Sequence, residues 1–400
     1  MSYLLFPLVV YIPVGTYLYF FFRRFLGLFG LEKQKKAVRI LSLLITLACV
    51  AKGWMLYGLG AVIILHFFVF SILMDGIYFI CRGKFRKKKA RKIWGFLHAS
   101  GVIPLLVICL IAGYGYFNIN DIRRTEYRIE TEKQLSRDLK ILQISDLHMG
   151  TTMDIGKLKD CCDKMQREKP DLIALTGDIF DENTSRQEME AAAKVLGDIE
   201  AEYGTYYVFG NHDYNAYTGT PVYSPEELCS ILESSGIVVL KDQVYTVNDE
   251  LTVIGRTDAS VGSMVSPKGR TGIEELCREI DGNTFVLLLD HQPTELRENA
   301  EAGVDLQLSG HTHAGQIWPT GQVGELIGFT ELNYGWKEIG GLQVIVSSGI
   351  GGWGYPIRTG GHSEYVVVTV SAEKMLTRPV CLLRKRAVMF GSSFFVVFLL

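Results

Sequence analysis

Residues 172–181 have the sequence Leu-Ile-Ala-Leu-Thr-Gly-Asp-Ile-Phe-Asp, in which an apolar run is followed at once by a glycine and two carboxylates. The apolar run has the length and composition of a buried strand, and ligands of open α/β sheets collect beyond the carboxyl ends of such strands. Four other short apolar runs are followed by polar residues in the same way. The five polar clusters are Asp146-Leu147-His148, Gly177-Asp178-Ile179-Phe180-Asp181, Gly210-Asn211-His212-Asp213, Asp290-His291 and Gly310-His311-Thr312-His313. We therefore expect these side chains to converge in space.

Together the clusters contain the donor types that a two-metal centre requires. Carboxylates and imidazoles suit ions such as Mn, Fe or Zn. Two ions about 3.5–4 Å apart need a carboxylate that bridges them, and they stabilise both the attacking and the leaving oxygen of an in-line displacement. Each cluster alone has an ordinary explanation as a turn or a helix cap, a cap being one interpretation of Asp213. Five unrelated turns would not supply a complete ligand set.

The blocks, in this order, resemble the calcineurin-like metallophosphoesterase superfamily over roughly residues 139–370. Ile144-Ser145-Asp146-Leu147-His148, the block from Gly310 to Gln316 and the glycine-rich loop at 349–358 are similar to a membrane-associated bacterial branch. The resemblance implies two mixed β-sheets packed face to face and flanked by helices, an αββα sandwich. The sequence pattern agrees, because strands alternate with helices in the first half of the soluble part and strands dominate the second half.

The resemblance also implies roles for individual residues. The first metal ion would be held by Asp146, His148 and His313, the second by Asn211, His291 and His311, and both by Asp178. His212 would act as general acid or neutralise the phosphoryl oxygens, and Asp181 would orient it. Arg358, in the glycine-rich loop, is a candidate for contacting a substrate phosphate, with an ordinary surface arginine as the alternative. The implied cofactors are two divalent metal ions, with Mn, Fe and Zn as the expected types.

The first 116 residues are far more apolar than the rest of the chain. Four apolar runs fit the length of about 20 residues that a bilayer-spanning helix needs; they cover about residues 4–22, 38–57, 59–80 and 93–114. The predicted organisation is a four-helix transmembrane region at 1–116, a linker and edge strand at 117–138, a metallophosphoesterase domain at 139–386 and an apolar tail at 387–400. For the tail, a position in the membrane interface and a short fifth span both remain open.

Lysine and arginine concentrate in the loops after the first and third predicted spans. Such loops stay in the cytoplasm, so the chain is expected to be a multi-pass protein of the cell membrane. With four spans, the catalytic domain would lie on the extracytoplasmic side. A solvated basic face without topological meaning is the alternative explanation of the second basic loop.

These patterns predict a membrane-anchored, dinuclear-metal-dependent phosphoesterase that hydrolyses a phosphodiester or pyrophosphate bond by metal-activated hydroxide. Its substrate is expected to be lipid-linked or part of the cell envelope. A nuclease is one alternative, although no nucleic-acid partner is expected because the soluble part has no clustered basic stretch. A non-catalytic metal- or ligand-binding module that signals through the membrane helices is the other. The oligomeric state does not follow from the sequence.

Overall fold

The structure is a computed structural model that describes residues 2–31, 35–54, 58–84, 87–261 and 269–372. The chain divides into two compact units, one covering Met1–Phe117 and the other starting at Asn118. The helices of the first unit, in the described residues, are α1 (Ser2–Leu26), α2 (Lys36–Gly53), α3 (Leu59–Cys81), α4 (Lys88–Ser100) and α5 (Val102–Asn120). The last residues of α5, Asn118–Asn120, belong to the second unit.

Two of the described helices, α3 and α5, are long and apolar enough to cross a membrane, as judged by length and composition. Large apolar side chains of α3, among them Ile72, Ile77 and Ile80, are exposed, as expected of a helix whose surroundings are lipid. The predicted spans at 4–22 and 59–80 each fall within one helix. Residues 55–57 of the predicted second span, and the whole predicted tail at 387–400, lie outside the described residues.

The predicted fourth span at 93–114 is wrong as a single helix. Helix α4 ends at Ser100, and Gly101 follows with a φ of 70°, the left-handed conformation that a glycine adopts at a helix end without a steric penalty. Helix α5 then begins at Val102 with Pro104 in its first turn, where a missing N–H leaves no helical hydrogen bond unmade. The apolar composition continues across the break, which is why hydropathy alone did not reveal it.

The second unit consists of strands and short helices. Its strands are β1 (Arg123–Thr131), β2 (Leu139–Ile144), β3 (Leu172–Leu175), β4 (Thr205–Tyr207), β5 (Ile237–Val239), β6 (Gln243–Thr246), β7 (Leu251–Gly255), β8 (Phe285–Leu289), β9 (Leu306–Ser309), β10 (Gly335–Ile339), β11 (Leu342–Val346) and β12 (Glu364–Ala372). Its described α-helices are α6 (Ile155–Gln166), α7 (Arg186–Gly197), α8 (Pro225–Ser234), α9 (Ile273–Cys277), α10 (Leu296–Glu301) and α11 (Thr320–Leu326). The start of α8 shows why such boundaries are visible in sequence, because Ser224 and Glu227 form a capping box around Pro225.

The described strands form two six-stranded mixed sheets. The order of the first sheet is β1-β12-β2-β3-β4-β5, and that of the second is β10-β11-β9-β8-β7-β6. Strands β2 to β5 run parallel, as do β7, β8, β9 and β11. Strand β12 runs antiparallel to β2, and the edge strand β1 pairs with β12 alone.

The two sheets pack face to face across an apolar core. Ile141 and Val368 of the first sheet are fully buried against the same cluster as Leu287 and Leu308 of the second. Helices α6, α7 and α8 cover the outer face of the first sheet, and α9 and α10 cover that of the second. The predicted fold of two mixed sheets with flanking helices is confirmed.

Removing a side chain from the core between the sheets should destabilise the second unit. We expect Leu287→Ala to lower the free energy of unfolding by about 2–5 kcal/mol, because the lost methyl groups leave a cavity in a close-packed layer. The matched control, Val244→Ala on the exposed side of β6, should cost less than about 0.5 kcal/mol. The measurement is urea denaturation of the full chain in detergent, followed by near-ultraviolet circular dichroism; equal costs for the two variants would contradict the assigned core.

Candidate metal centre

Each of the five polar clusters lies just after the carboxyl end of a parallel strand. Asp146 follows β2, Asp178 follows β3, Asn211 follows β4, His291 follows β8 and His311 follows β9. The structure brings the donor atoms together in two groups, Asp146 with His148 and His313, and Asp178 with His291 and His311. Within each group the donor atoms all lie within 4.8 Å of one another, and the side chains are buried or half-buried. Either group could hold a metal ion.

One carboxylate oxygen faces both groups. Oδ2 of Asp178 lies 3.1 Å from Nε2 of His291 and 3.9 Å from Nε2 of His148. The other oxygen, Oδ1, accepts the backbone N–H of His212 at 2.9 Å, which fixes the orientation of the carboxylate. This is the placement expected of a carboxylate that bridges two ions.

The ring orientations of the histidines turn Nε2 towards the centre. Nδ1 of His291 donates to the carbonyl oxygen of Thr176 at 2.8 Å, and its Nε2 lies 3.1 Å from Oδ2 of Asp178. Nδ1 of His148 lies 3.2 Å from Asp181, and its Nε2 lies 3.1 Å from Nε2 of His313. Ligating histidines are commonly held by a hydrogen bond at the other ring nitrogen, as His291 and His148 are here.

The side-chain amide of Asn211 has a buried oxygen that a cation could pair. Its Oδ1 is buried, and it has no hydrogen-bond partner within the described part of the chain, whereas its Nδ2 donates to the Tyr217 hydroxyl at 3.3 Å. A buried acceptor left unpaired costs about 1–3 kcal/mol, and a metal ion would remove that cost. The amide oxygen and the two carboxylate–imidazole groups together fit a pair of divalent cations.

Three donors of the centre are held in metal-binding forms, whereas burial raises the pKa of Asp146 and, against the opposing effect of burial, the charge of Asp178 raises that of His291. Burial opposes ionisation of Asp178, but the neighbouring imidazoles of His291, His212 and His148 hold the pKa of this carboxylate well below its usual range. Burial, followed by the charge of His291, lowers the pKa of His311 to about 4. Burial also lowers the pKa of His313 well below its ordinary value. Neutral imidazole and ionised carboxylate are the protonation states that coordinate metals.

The backbone around the centre is strained. Asp146, His148, Asp178, His311 and His313 all have positive φ angles, between 46° and 71°. Residues other than glycine rarely adopt this conformation, and such strain clusters at functional sites, where the surrounding structure enforces it. The strain turns each side chain towards the centre directly after its strand. A Cβ atom at Gly210 would overlap Oδ1 of Asp178, so only glycine allows this approach.

The structure does not pair His212 with Asp181, as the sequence analysis expected. Nδ1 of His212 lies 2.9 Å from Oε2 of Glu182, a residue to which the sequence analysis gave no role. The Asp181 carboxylate instead contacts His148 and accepts the backbone N–H of Asn183 at 2.8 Å. Both carboxylates follow the same strand, so residue spacing alone could not decide which of them reaches the imidazole.

The environment of His212 favours its protonated form. Burial lowers the pKa of His212, but the hydrogen bond to Glu182 and the charge of Asp178 outweigh burial, and the pKa is raised overall. The rings of Tyr217 and Trp353 lie next to the imidazole, with centroids 5.0 and 5.3 Å from it.

Arg358 is not placed to contact a substrate. Its side chain is fully buried, and its Nη1 donates to the carbonyl oxygens of His313 and Ser348, and its Nη2 to that of Gly351. Burial lowers the pKa of Arg358 to about 10. The guanidinium therefore ties the turn that carries His313 to the glycine-rich loop, and neither the phosphate contact nor the surface alternative describes it.

Asp213 is a structural residue of the centre that the sequence analysis treated as a possible helix cap. Its carboxylate accepts backbone N–H groups from Asp178, Phe180 and Gly210, at 2.7, 2.9 and 2.7 Å. These three bonds join the loop after β3 to the loop after β4. The sequence signal for this role was the position of Asp213 next to the Gly-Asn turn, because such turns leave backbone N–H groups that need an acceptor.

Comparison with known proteins finds relatives among the metallophosphoesterases. A family model described as calcineurin-like phosphoesterase matches residues 139–315. An uncharacterized metallophosphoesterase of Aquifex aeolicus is 31% identical over 271 residues, covering 67% of this chain and 99% of the relative. A Danio rerio transmembrane protein with a metallophosphoesterase domain is 28% identical over 276 residues, covering 66% and 61%. A dimetal phosphatase structure from Danio rerio matches with a TM-score of 0.36 and 14% identity, covering 53% of this chain and 87% of that one, which is too distant to carry an inference.

Substitution of the shared carboxylate should empty the centre more completely than substitution of a ligand in one group. We expect Asp178→Asn to reduce bound metal from about two ions per chain to well below one, and His313→Ala to remove about one, because only Asp178 faces both groups. The measurement is inductively coupled plasma mass spectrometry of the purified full chain. His362→Ala, which removes an imidazole outside the centre, is the control; equal losses in Asp178→Asn and His313→Ala would refute a bridging role.

Proposed function

We propose, on the premise that the chain belongs to the calcineurin-like phosphoesterase family and is a metal-dependent phosphoester hydrolase, that it acts on phosphodiester or pyrophosphate bonds at a membrane surface. The observation that carries the proposal is the Asp178 carboxylate, one oxygen of which faces both donor groups. A module that only bound one ion would have no need of such a shared carboxylate.

The proposed ligands are those that the resemblance implied. Asp146, His148 and His313 would hold one divalent ion, Asn211, His291 and His311 would hold the other, and Asp178 would be shared between them. The mixed carboxylate, imidazole and amide set suits Mn, Fe or Zn. Two such ions, when bound, supply an activated water and offset the charge that develops on the phosphoryl oxygens.

His212 is the proposed general acid, and Glu182 is the residue that positions it. Because Nδ1 is engaged by Glu182, Nε2 is the atom left to donate a proton to the leaving-group oxygen. The raised pKa of His212 keeps that proton available near neutral pH. Tyr217 and Trp353 restrict rotation of the imidazole and exclude water from its faces.

We further propose that the enzyme is anchored in the cell membrane. The candidate spans α3 and α5 support this, and α1 and α2 are the other long helices of the first unit. On this proposal, residues 1–116 are the membrane region, with the fourth span beginning at Val102. Residues 117–138, which include the edge strand β1, join that region to the part of the catalytic domain that starts at residue 139. The basic loops after α1 and after α3 would be cytoplasmic, which puts the catalytic domain on the extracytoplasmic side.

A lipid-linked phosphoester is the substrate class that this anchoring favours. Only Asp121 and Ile122 lie between the end of α5 and the start of β1, and two residues reach at most about 7 Å. The catalytic domain is thus held next to the membrane, where lipid-borne phosphates are concentrated. A nuclease would need a basic surface for the nucleic-acid backbone, and between residues 139 and 372 the sequence has no two adjacent basic residues.

Loss of the His212 imidazole should reduce turnover without loss of metal. With the full chain in detergent and Mn²⁺, we expect His212→Ala to lower turnover of diphenyl phosphate by about 10²–10⁴-fold. The loss should be smaller with bis-p-nitrophenyl phosphate, because p-nitrophenolate leaves without protonation more readily than phenolate. Glu182→Gln should show the same pattern to a lesser degree.

The control for these variants is Glu190→Gln, at an exposed carboxylate of α7 that pairs with Arg186. If His212→Ala lowered the metal content, the imidazole would be a ligand rather than an acid. Equal losses on the two substrates would argue against proton donation to the leaving group.

The proposed topology predicts which surfaces react with a membrane-impermeant maleimide. In intact bacterial cells that express the full chain, Arg297→Cys should become labelled, because this exposed residue of α10 would lie outside. Lys89→Cys, in the basic stretch before α5, should be labelled only after lysis. The parent chain, with its native cysteines, gives the background; the reverse pattern would place the catalytic domain in the cytoplasm.

A further inference from the structure

The segment that follows the last histidine block exposes large apolar side chains. This apolar segment, residues 318–329, includes Trp318, Leu326, Ile327 and Phe329, with 60%, 84%, 61% and 86% of their surfaces exposed. Single exposed apolar residues are ordinary, but a contiguous group marks a surface that another apolar phase covers. Among the described residues of the second unit, no large apolar side chain is more exposed than Leu326 and Phe329.

Polar contacts on its inner side fix the outward direction of this segment. The Thr312 hydroxyl, within the histidine block, donates to the carbonyl oxygen of Asn333 at 2.5 Å. The Glu325 carboxylate accepts the backbone N–H of Asn333 at 3.2 Å. Glu325 and Leu326 are both exposed, and Gly321 is the residue of α11 that is buried, so the helix presents Leu326 to its surroundings.

The apolar segment shares one loop with the end of α5. Backbone N–H groups of Thr359 and Gly360 donate to the carbonyl oxygen of Gln316, and the N–H of Trp318 donates to the Thr359 hydroxyl at 3.0 Å. The same loop receives Asn118, whose Nδ2 donates to the carbonyl oxygens of Arg358 and Gly361 at 3.1 and 2.8 Å. The loop at 358–361 thus contacts both Trp318, at the start of the apolar segment, and Asn118, the residue at which the second unit begins.

We propose that the apolar segment inserts into the lipid surface from which α5 emerges, and that it seats the metal centre against the headgroup layer. The proposal rests on the proposed membrane anchoring. The loop at 349–361 contacts both Asn118 and Trp318, and it also carries Trp353 beside His212. Aromatic and aliphatic side chains that enter the acyl boundary hold a protein at the membrane interface. With the domain held in that way, a phosphoester in the headgroup layer is within reach of the centre, and one free in solution gains nothing from the segment.

Photo-crosslinking from single positions tests the insertion directly. The photoreactive residue p-benzoylphenylalanine replaces Phe329, Leu326 or, as control, Val244, in the full chain reconstituted into phosphatidylcholine–phosphatidylglycerol vesicles. Val244 is exposed on β6, at the opposite edge of the second sheet from β10, to which the apolar segment leads. After irradiation, mass spectrometry should find lipid adducts at positions 326 and 329 in roughly tenfold excess over position 244. Adduct yields equal to the control, or adducts to a second copy of the chain, would overturn the proposal.

A parallel assay separates this inference from the proposed function. Leu326→Ser/Phe329→Ser should leave turnover of the water-soluble bis-p-nitrophenyl phosphate within about twofold of the parent, because these side chains contact solvent and not the centre. Loss of soluble turnover in the double variant would mean that the segment supports the centre instead of docking it. Lipid adducts in a chain that binds metal but hydrolyses no phosphodiester would refute the proposed function alone. Retained turnover without lipid adducts would refute the docking alone.

Discussion

The centre depends on a dense cluster of buried carboxylate and imidazole donors. Nε2 of His148 lies 3.1 Å from Nε2 of His313, and Nε2 of His291 lies 3.1 Å from the Asp178 carboxylate. Polar and charged groups buried this closely are costly unless each one is paired, and the surrounding fold holds them in place. Parallel strands of two sheets bring the donors to one position, and left-handed backbone at five of them turns the side chains inward. Divalent cations, when bound, would offset the charge of the buried carboxylates.

Residues that never touch a ligand atom maintain this arrangement. Asp213 joins two loops through three backbone N–H groups, and Arg358 joins two others through backbone carbonyls. Both side chains are fully buried, and burial of a charge is tolerated only when hydrogen bonds of this kind compensate for the lost water. Positions of this kind explain how loops, which are normally the most mobile parts of a protein, hold ligands with the accuracy that a two-metal centre needs.

The sandwich fold and the convergence of the donors were predictable because both follow from short-range patterns. Apolar runs such as 172–175 and 285–289 coincide with β3 and β8, and the polar residues after them had only one edge to occupy. The partner of His212 was not predictable, because Asp181 and Glu182 are adjacent and only the turn geometry chooses between them. The buried state of Arg358 was hidden for a similar reason, since its partners are carbonyl groups of residues distant in sequence. The break at Gly101 escaped notice because hydropathy does not register a single φ angle.

The pairing of β1 joins residues that are far apart in the sequence. The first strand after α5 pairs with β12 alone, and β12 separates it from β2. Residues 123–131 therefore cannot join the first sheet until residues 364–372 have been synthesised. Contacts between residues so distant in sequence form slowly, because a long stretch of chain must be ordered before they can be made. The edge of the first sheet is thus expected to close late in folding.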